Sequence, residues 1–158
     1  MNTTAKNISQ GAMTAALYVL LTYVSAAFGM SSGAVQVRLS EALCVLPCFT
    51  PAAVWGLFAG CLLSNLLTGG IITHVIFGSL VKLICAVFTR LLRRHTYLSL
   101  LPPIISNTII VPFVLAYAYH IEGTIPYFML TVGIGEIISC GIFGSLLGSV
   151  LKKHKIFS

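Results

Sequence analysis

IITHVIFGSLVKLICAVFTRLL, residues 71–92, is apolar along nearly its whole length, with His74 near one end, Lys82 near its middle and Arg90 close to the other. A helix rises about 1.5 Å per residue, so this stretch is long enough to cross the roughly 30 Å hydrocarbon core of a bilayer. Arg93 and Arg94 follow at once, as basic residues do where a span leaves the membrane. Working outward, five more apolar segments stand at 8–28, 37–49, 51–67, 102–119 and 127–151. Pro51 is placed to open one of them, and Pro102 and Pro103 to open another. Together they predict an all-α, six-helix bundle integral to the membrane, with residues 1–158 as a single domain.

Composition supports this. Apolar residues make up 58% of the chain and charged residues 8%, and the mean hydropathy is +1.01. A water-soluble domain of this size has no core large enough to hide so much apolar surface. The net charge of +6 raises the question of nucleic acid, but the basic residues sit where spans end. Lys6, Arg90, Arg93, Arg94, Lys152, Lys153 and Lys155 all fall on one side if the chain crosses six times with both termini cytoplasmic. Membrane topology accounts for the charge, and no nucleic-acid partner is expected.

Three acids serve the whole chain, Glu41, Glu122 and Glu136, with no aspartate. Glu41 and Glu136 lie inside apolar segments, where a charge costs roughly 2.5–3.5 kcal/mol on insertion scales, so each calls for a function or a buried partner. With alternating spans, Arg38, Glu41, Asn65 and His74 fall in the outer half of the membrane and Glu136 a little deeper. Their convergence on one outward-facing pocket would offer carboxylate acceptors, a guanidinium and an amide, which suits a flat heterocycle with polar edges better than a bare ion. Structural roles stand beside this reading. Arg38 and Glu41, one helical turn apart, are placed to neutralise each other; a Lys82–Glu136 bridge is placed to hold two spans together; and Asn65 and Asn107 are placed to bond across helices.

Absences narrow the class. There is no phosphate-binding G-x-x-x-x-G-K-[ST] loop, no paired aspartates and no metal-type ligand spacing. No enzymatic activity, metal or cofactor is expected. The five cysteines, Cys44, Cys48, Cys61, Cys85 and Cys140, read as small buried residues. Small residues mark contacts: Gly11, Ala12, Ala15 and Ala16 flatten one face of the first span, Gly56 and Gly60 form a GxxxG pair, and Gly141, Gly144 and Gly148 permit close packing below Glu136. The Gly/Ser-rich stretch 29–36 reads as a flexible lid.

The segment Gly33-Ala34-Val35-Gln36-Val37-Arg38-Leu39-Ser40-Glu41-Ala42-Leu43, with Val45-Leu46-Pro47 and Phe49-Thr50-Pro51-Ala52-Ala53 after it, resembles the QueT family of queuosine-precursor transporters. The likeness continues through Gly56–Leu67, Phe77–Leu80, Pro102-Pro103, Asn107 and Val132-Gly133-Ile134-Gly135-Glu136, and so covers essentially the whole chain. It implies the substrate-binding S component of an energy-coupling factor (ECF) transporter in a bacterial plasma membrane. Its substrate would be a 7-deazaguanine base, queuine or its aminomethyl or cyano precursors, bound through Arg38, Glu41, Asn65, His74 and Glu136. It also implies docking through Ala12 and Ala16 onto a transmembrane coupling protein driven by two ATPase subunits. The residues alone leave two rivals open: a secondary transporter in which Glu136, His74 and Lys82 relay protons or ions, and a membrane scaffold whose polar residues only join helices.

Overall fold

The computed structural model describes residues 3–30, 36–117, 120 and 122–154, and these are helical with short connections. Helix α1 is Thr3–Ala27, α2 is Ala52–Leu67, α3 is Ile72–Leu91 and α4 is Leu101–Tyr117. The last span begins as α5, Ile125–Glu136, passes through a π-helical segment, Ile137–Phe143, and ends as α6, Gly144–His154. The lid expected at 29–36 falls, for residues 31–35, outside the described residues, as do residues 118–119 at the expected end of the fifth span.

The second expected span is the unusual one. Leu39–Cys48 is a ten-residue 3-10 helix, where runs of three or four residues are the norm. At about 2.0 Å per residue it reaches about 20 Å, a third more than the same residues would as an α-helix. It is the central element: Ser40 to Pro47 are all buried, and it touches α1, α2, α3, the π segment and α6. Around it α1 packs on α2, α2 on α3, α3 on α4 and α4 on α5.

A buried 3-10 helix has backbone groups at both ends that lack partners within the helix, and other elements supply them. Ser139 Oγ in the π segment accepts from the Arg38 N–H at 3.1 Å. Ser25 Oγ in α1 accepts from the Leu39 N–H at 2.9 Å. At the far end the Arg90 guanidinium donates to the carbonyls of Pro47 and Cys48 at 3.1 and 3.2 Å. Buried carbonyls without donors cost free energy comparable to a lost hydrogen bond, so these three side chains fix the helix along its axis.

Small residues set the helix spacing. A Cβ at Gly56 would lie 2.6 Å from Gly11 O and 2.7 Å from Thr14 Cβ, and one at Gly60 would lie 2.7 Å from Tyr18 Cβ, so the GxxxG pair seats α2 directly on α1. Gly148 packs against Val45 and Thr96, and Gly144 against Leu100. All five cysteines are free, and four of them are buried.

Among the described residues three helices are long and apolar enough to cross a membrane, Thr3–Ala27, Ile72–Leu91 and Ile125–His154, and three shorter apolar helices accompany them, Leu39–Cys48, Ala52–Leu67 and Leu98–Val114. Large apolar side chains face outward, among them Leu20, Trp55, Leu63, Ile72 and Leu130, whereas Glu41, Lys82, Asn107 and Glu136 are buried. Polar groups inside an apolar exterior are what a lipid surround selects. Thr50 donates to Gln10 near the start of α1, Arg90 reaches the end of the 3-10 helix, and Gly148 of α6 packs beside Thr96. The basic ends of α3 and α6 and the start of α1 therefore share one end of the bundle.

Candidate functional site

Arg38, Glu41, Asn65, His74 and Glu136 line one cavity, together with Tyr18, Gln36, Cys61, Lys82 and Asn107. Its volume is about 40 Å³, room for little more than a water molecule, whereas pockets that hold small organic ligands usually run to about 300–1,000 Å³.

Within it the two buried acids differ. Four donors converge on Glu41, whose residue is 2% exposed. Tyr18 Oη donates to Oε1 at 2.9 Å, while Lys82 Nζ at 2.5 Å, Cys44 Sγ at 3.3 Å and Asn107 Nδ2 at a long 3.4 Å approach Oε2. A carboxylate offers about four lone-pair sites, so Glu41 is close to saturated by the protein itself. Lys82, 3% exposed, is joined to it as an ion pair and lies 6.0 Å from the centroid of the Tyr18 ring.

Glu136 is 8% exposed, and its Oε2 accepts no hydrogen bond from the described residues. Asn107 stands between the acids, donating to Glu41 and interacting with Glu136, and Arg38 is near enough to act on Glu136 electrostatically. The Arg38 side chain is half-buried and takes part in no ion pair among the described residues.

These placements revise two of the pairings read from the sequence. Lys82 bridges to Glu41, not to Glu136. Arg38 forms no ion pair with Glu41 among the described residues; its backbone is extended (φ −112°, ψ 109°) and the helix begins only after it. Asn65 donates within its own helix to Cys61 Sγ at 3.4 Å, and His74 lies against Gly78, the Cδ2 atom 3.4 Å from where a Cβ would stand. Sequence reasoning did not single out Tyr18. Its signal is a hydroxyl in the middle of an apolar span, since a buried tyrosine usually finds a partner for its O–H.

A second concavity lies at the basic end. Gly11, Ala12, Ala15, Trp55, Gly56 and Ala59 line a shallow apolar groove of about 590 Å³ along α1 and α2. Ala12 opens onto it, Ala16 is exposed one turn further along α1, and Trp55 stands 66% exposed at its edge.

No curated protein and no solved structure matches this chain. The family model described as QueT transporter matches residues 8–153, nearly its full length. The chain belongs to the QueT transporter family.

Proposed function

We propose that the chain is the substrate-binding S component of an ECF-type importer and takes up a queuosine precursor, a 7-deazaguanine base such as queuine or its aminomethyl or cyano forms. The observation that carries this reading is the cavity: a buried polar chamber in an apolar bundle, holding a carboxylate oxygen with no donor and a guanidinium in no ion pair among the described residues. Such a pair suits a neutral heterocycle that presents donors and an acceptor on one edge. The candidate contacts are Arg38, Glu41, Asn65, His74 and Glu136, with Glu41 acting mainly by holding Lys82 and Tyr18 in place. Because the chamber measures about 40 Å³, a base enters only as its walls separate.

The apolar groove along α1 and α2 is the proposed docking face for the coupling protein, with Ala12 and Ala16 at its contact and two ATPases supplying the energy. The basic residues gathered at that end favour a cytosolic location for both termini in a bacterial plasma membrane, with the cavity residues toward the other side. One domain comprises the whole chain in this reading.

The test is binding by the purified protein. Queuine or its precursors should bind, and guanine and unrelated vitamins should bind far more weakly; no measurable affinity for any deazaguanine would remove the substrate. The second reading is a proton- or ion-coupled secondary transporter, favoured by the buried Tyr18–Glu41–Lys82 network. It predicts gradient-dependent uptake into liposomes that contain this chain alone, and an S component shows none.

A further inference from the structure

Which of the two buried acids reads the ligand follows from how each is occupied. Glu41 receives Tyr18 at Oε1 and Lys82, Cys44 and Asn107 at Oε2, so a ligand donor reaching it would compete with groups already seated there. Displacing Lys82 would strand an ammonium inside the bundle, a costly rearrangement. Glu136 carries the opposite arrangement: more than nine-tenths buried, lining the cavity, with Oε2 unpartnered among the described residues. A buried acceptor left empty costs about 1–3 kcal/mol, a cost that disappears when a ligand donor arrives.

We propose that Glu136, and not Glu41, is the specificity-determining acceptor, and that with Arg38, which lines the same cavity, it selects a 2-amino-4-oxo heterocyclic edge. This inference rests on the substrate class proposed above and deepens it. A bare cation gains from Glu136 but is opposed by Arg38, and a bare anion meets the reverse. An edge with a ring N–H and an exocyclic amine beside a carbonyl satisfies both: the two donors address the Glu136 carboxylate and the guanidinium addresses the carbonyl. Among the described residues no group of three His, Cys, Asp or Glu side chains is arranged to hold a metal ion, so recognition in this design is by hydrogen bonds from side chains. Asn107, in contact with both acids, keeps Glu136 apart from the Glu41–Lys82 pair and positions it.

The experiment compares two probes and three proteins by calorimetry in detergent. The probes are 7-deazaguanine and 7-deazahypoxanthine, which lacks the exocyclic amine; the proteins are wild type, Glu136→Gln and Glu41→Gln. Wild type should prefer 7-deazaguanine by about 10- to 100-fold, the scale of one or two hydrogen bonds to a charged group. Glu136→Gln should lose that preference while still folding, because it keeps the size of the side chain and one acceptor oxygen, and its melting temperature checks this. Glu41→Gln should bind more weakly in general, or fold less well, yet keep the preference wherever binding is measurable. If Glu136→Gln does not fold, Glu136→Asp takes its place, with the preference reduced by the shorter side chain. A preference kept in the Glu136 variants, or lost in Glu41→Gln alone, overturns the assignment while leaving the substrate class intact. Wild type that binds neither probe nor queuine overturns the substrate class, and this assignment with it.

Discussion

The 3-10 helix is gripped at its two ends by cations from the same neighbour, and the two grips differ. Near its start, Lys82 of α3 meets a side-chain carboxylate, Glu41, inside a crowd of polar groups that leaves Glu136 Oε2 bare. At its finish, Arg90 of α3 meets main-chain carbonyls, those of Pro47 and Cys48, beside Cys48 and Ser99, whose Sγ and Oγ atoms lie 2.9 Å apart, and a Thr89 hydroxyl that donates to Ser99 O at 2.9 Å. No side-chain polar atom at that end is among those left buried and unbonded. The end whose buried side chains are all bonded among the described residues serves the fold. Unused bonding capacity at the other marks where a ligand has something to gain.

Substitutions can break this contrast in order of effect. Lys82→Met should destabilise the protein by about 3–5 kcal/mol, since it leaves Glu41 buried without its cation, and pairing it with Glu41→Leu should restore most of the loss. Equilibrium unfolding in detergent, run as a double-mutant cycle, checks both halves of the prediction. Arg90→Ala should cost less, about 2–3 kcal/mol, because it leaves two main-chain carbonyls without a donor and not a buried charge without its partner. It should leave ligand discrimination unchanged, whereas any loss of discrimination would erase the division between the two ends.

Gly135→Ala tests the seat of the segment that leads into the 3-10 helix. A Cβ there would overlap the Gln36 carbonyl, so the variant should shift residues 36–38, lower stability by about 1–3 kcal/mol and weaken binding more than Arg90→Ala does. Ser139→Ala removes the acceptor for the Arg38 N–H and should cost about 1 kcal/mol, read as a small fall in melting temperature. Glu122→Gln, at an exposed loop position, should change neither stability nor binding beyond about 0.5 kcal/mol. A larger effect would show that the third acid also matters.

How much of this was legible depended on how local the cause was. The apolar segments, the close contact at Gly56 and Gly60 and the unpaired state of the cysteines follow from composition and spacing within a segment. The pairing of Lys82 was not legible, because it depends on which helices are neighbours around the 3-10 element. The presumed Arg38–Glu41 contact assumed α-helical spacing through residue 38, and the chain is extended there. Neither the 3-10 helix nor the π segment has a signature in side-chain periodicity; the first is held at its ends by tertiary bonds from Ser25, Arg90 and, out of the π segment, Ser139. The candidate site was visible as a set of scarce polar residues in apolar surroundings. Which acid was already occupied became visible only with the neighbours in place.

Lys82 and Arg90 stand eight residues apart on one rigid rod, about 12 Å along its axis. Sliding or tilting α3 away from the centre would therefore pull out both pins in a single movement. The opposite wall is fastened more lightly, by a serine hydroxyl and an amide at 3.4 Å. If the chamber widens to admit a guest, the α4–α5 side is the door, and α3 is the fixed post.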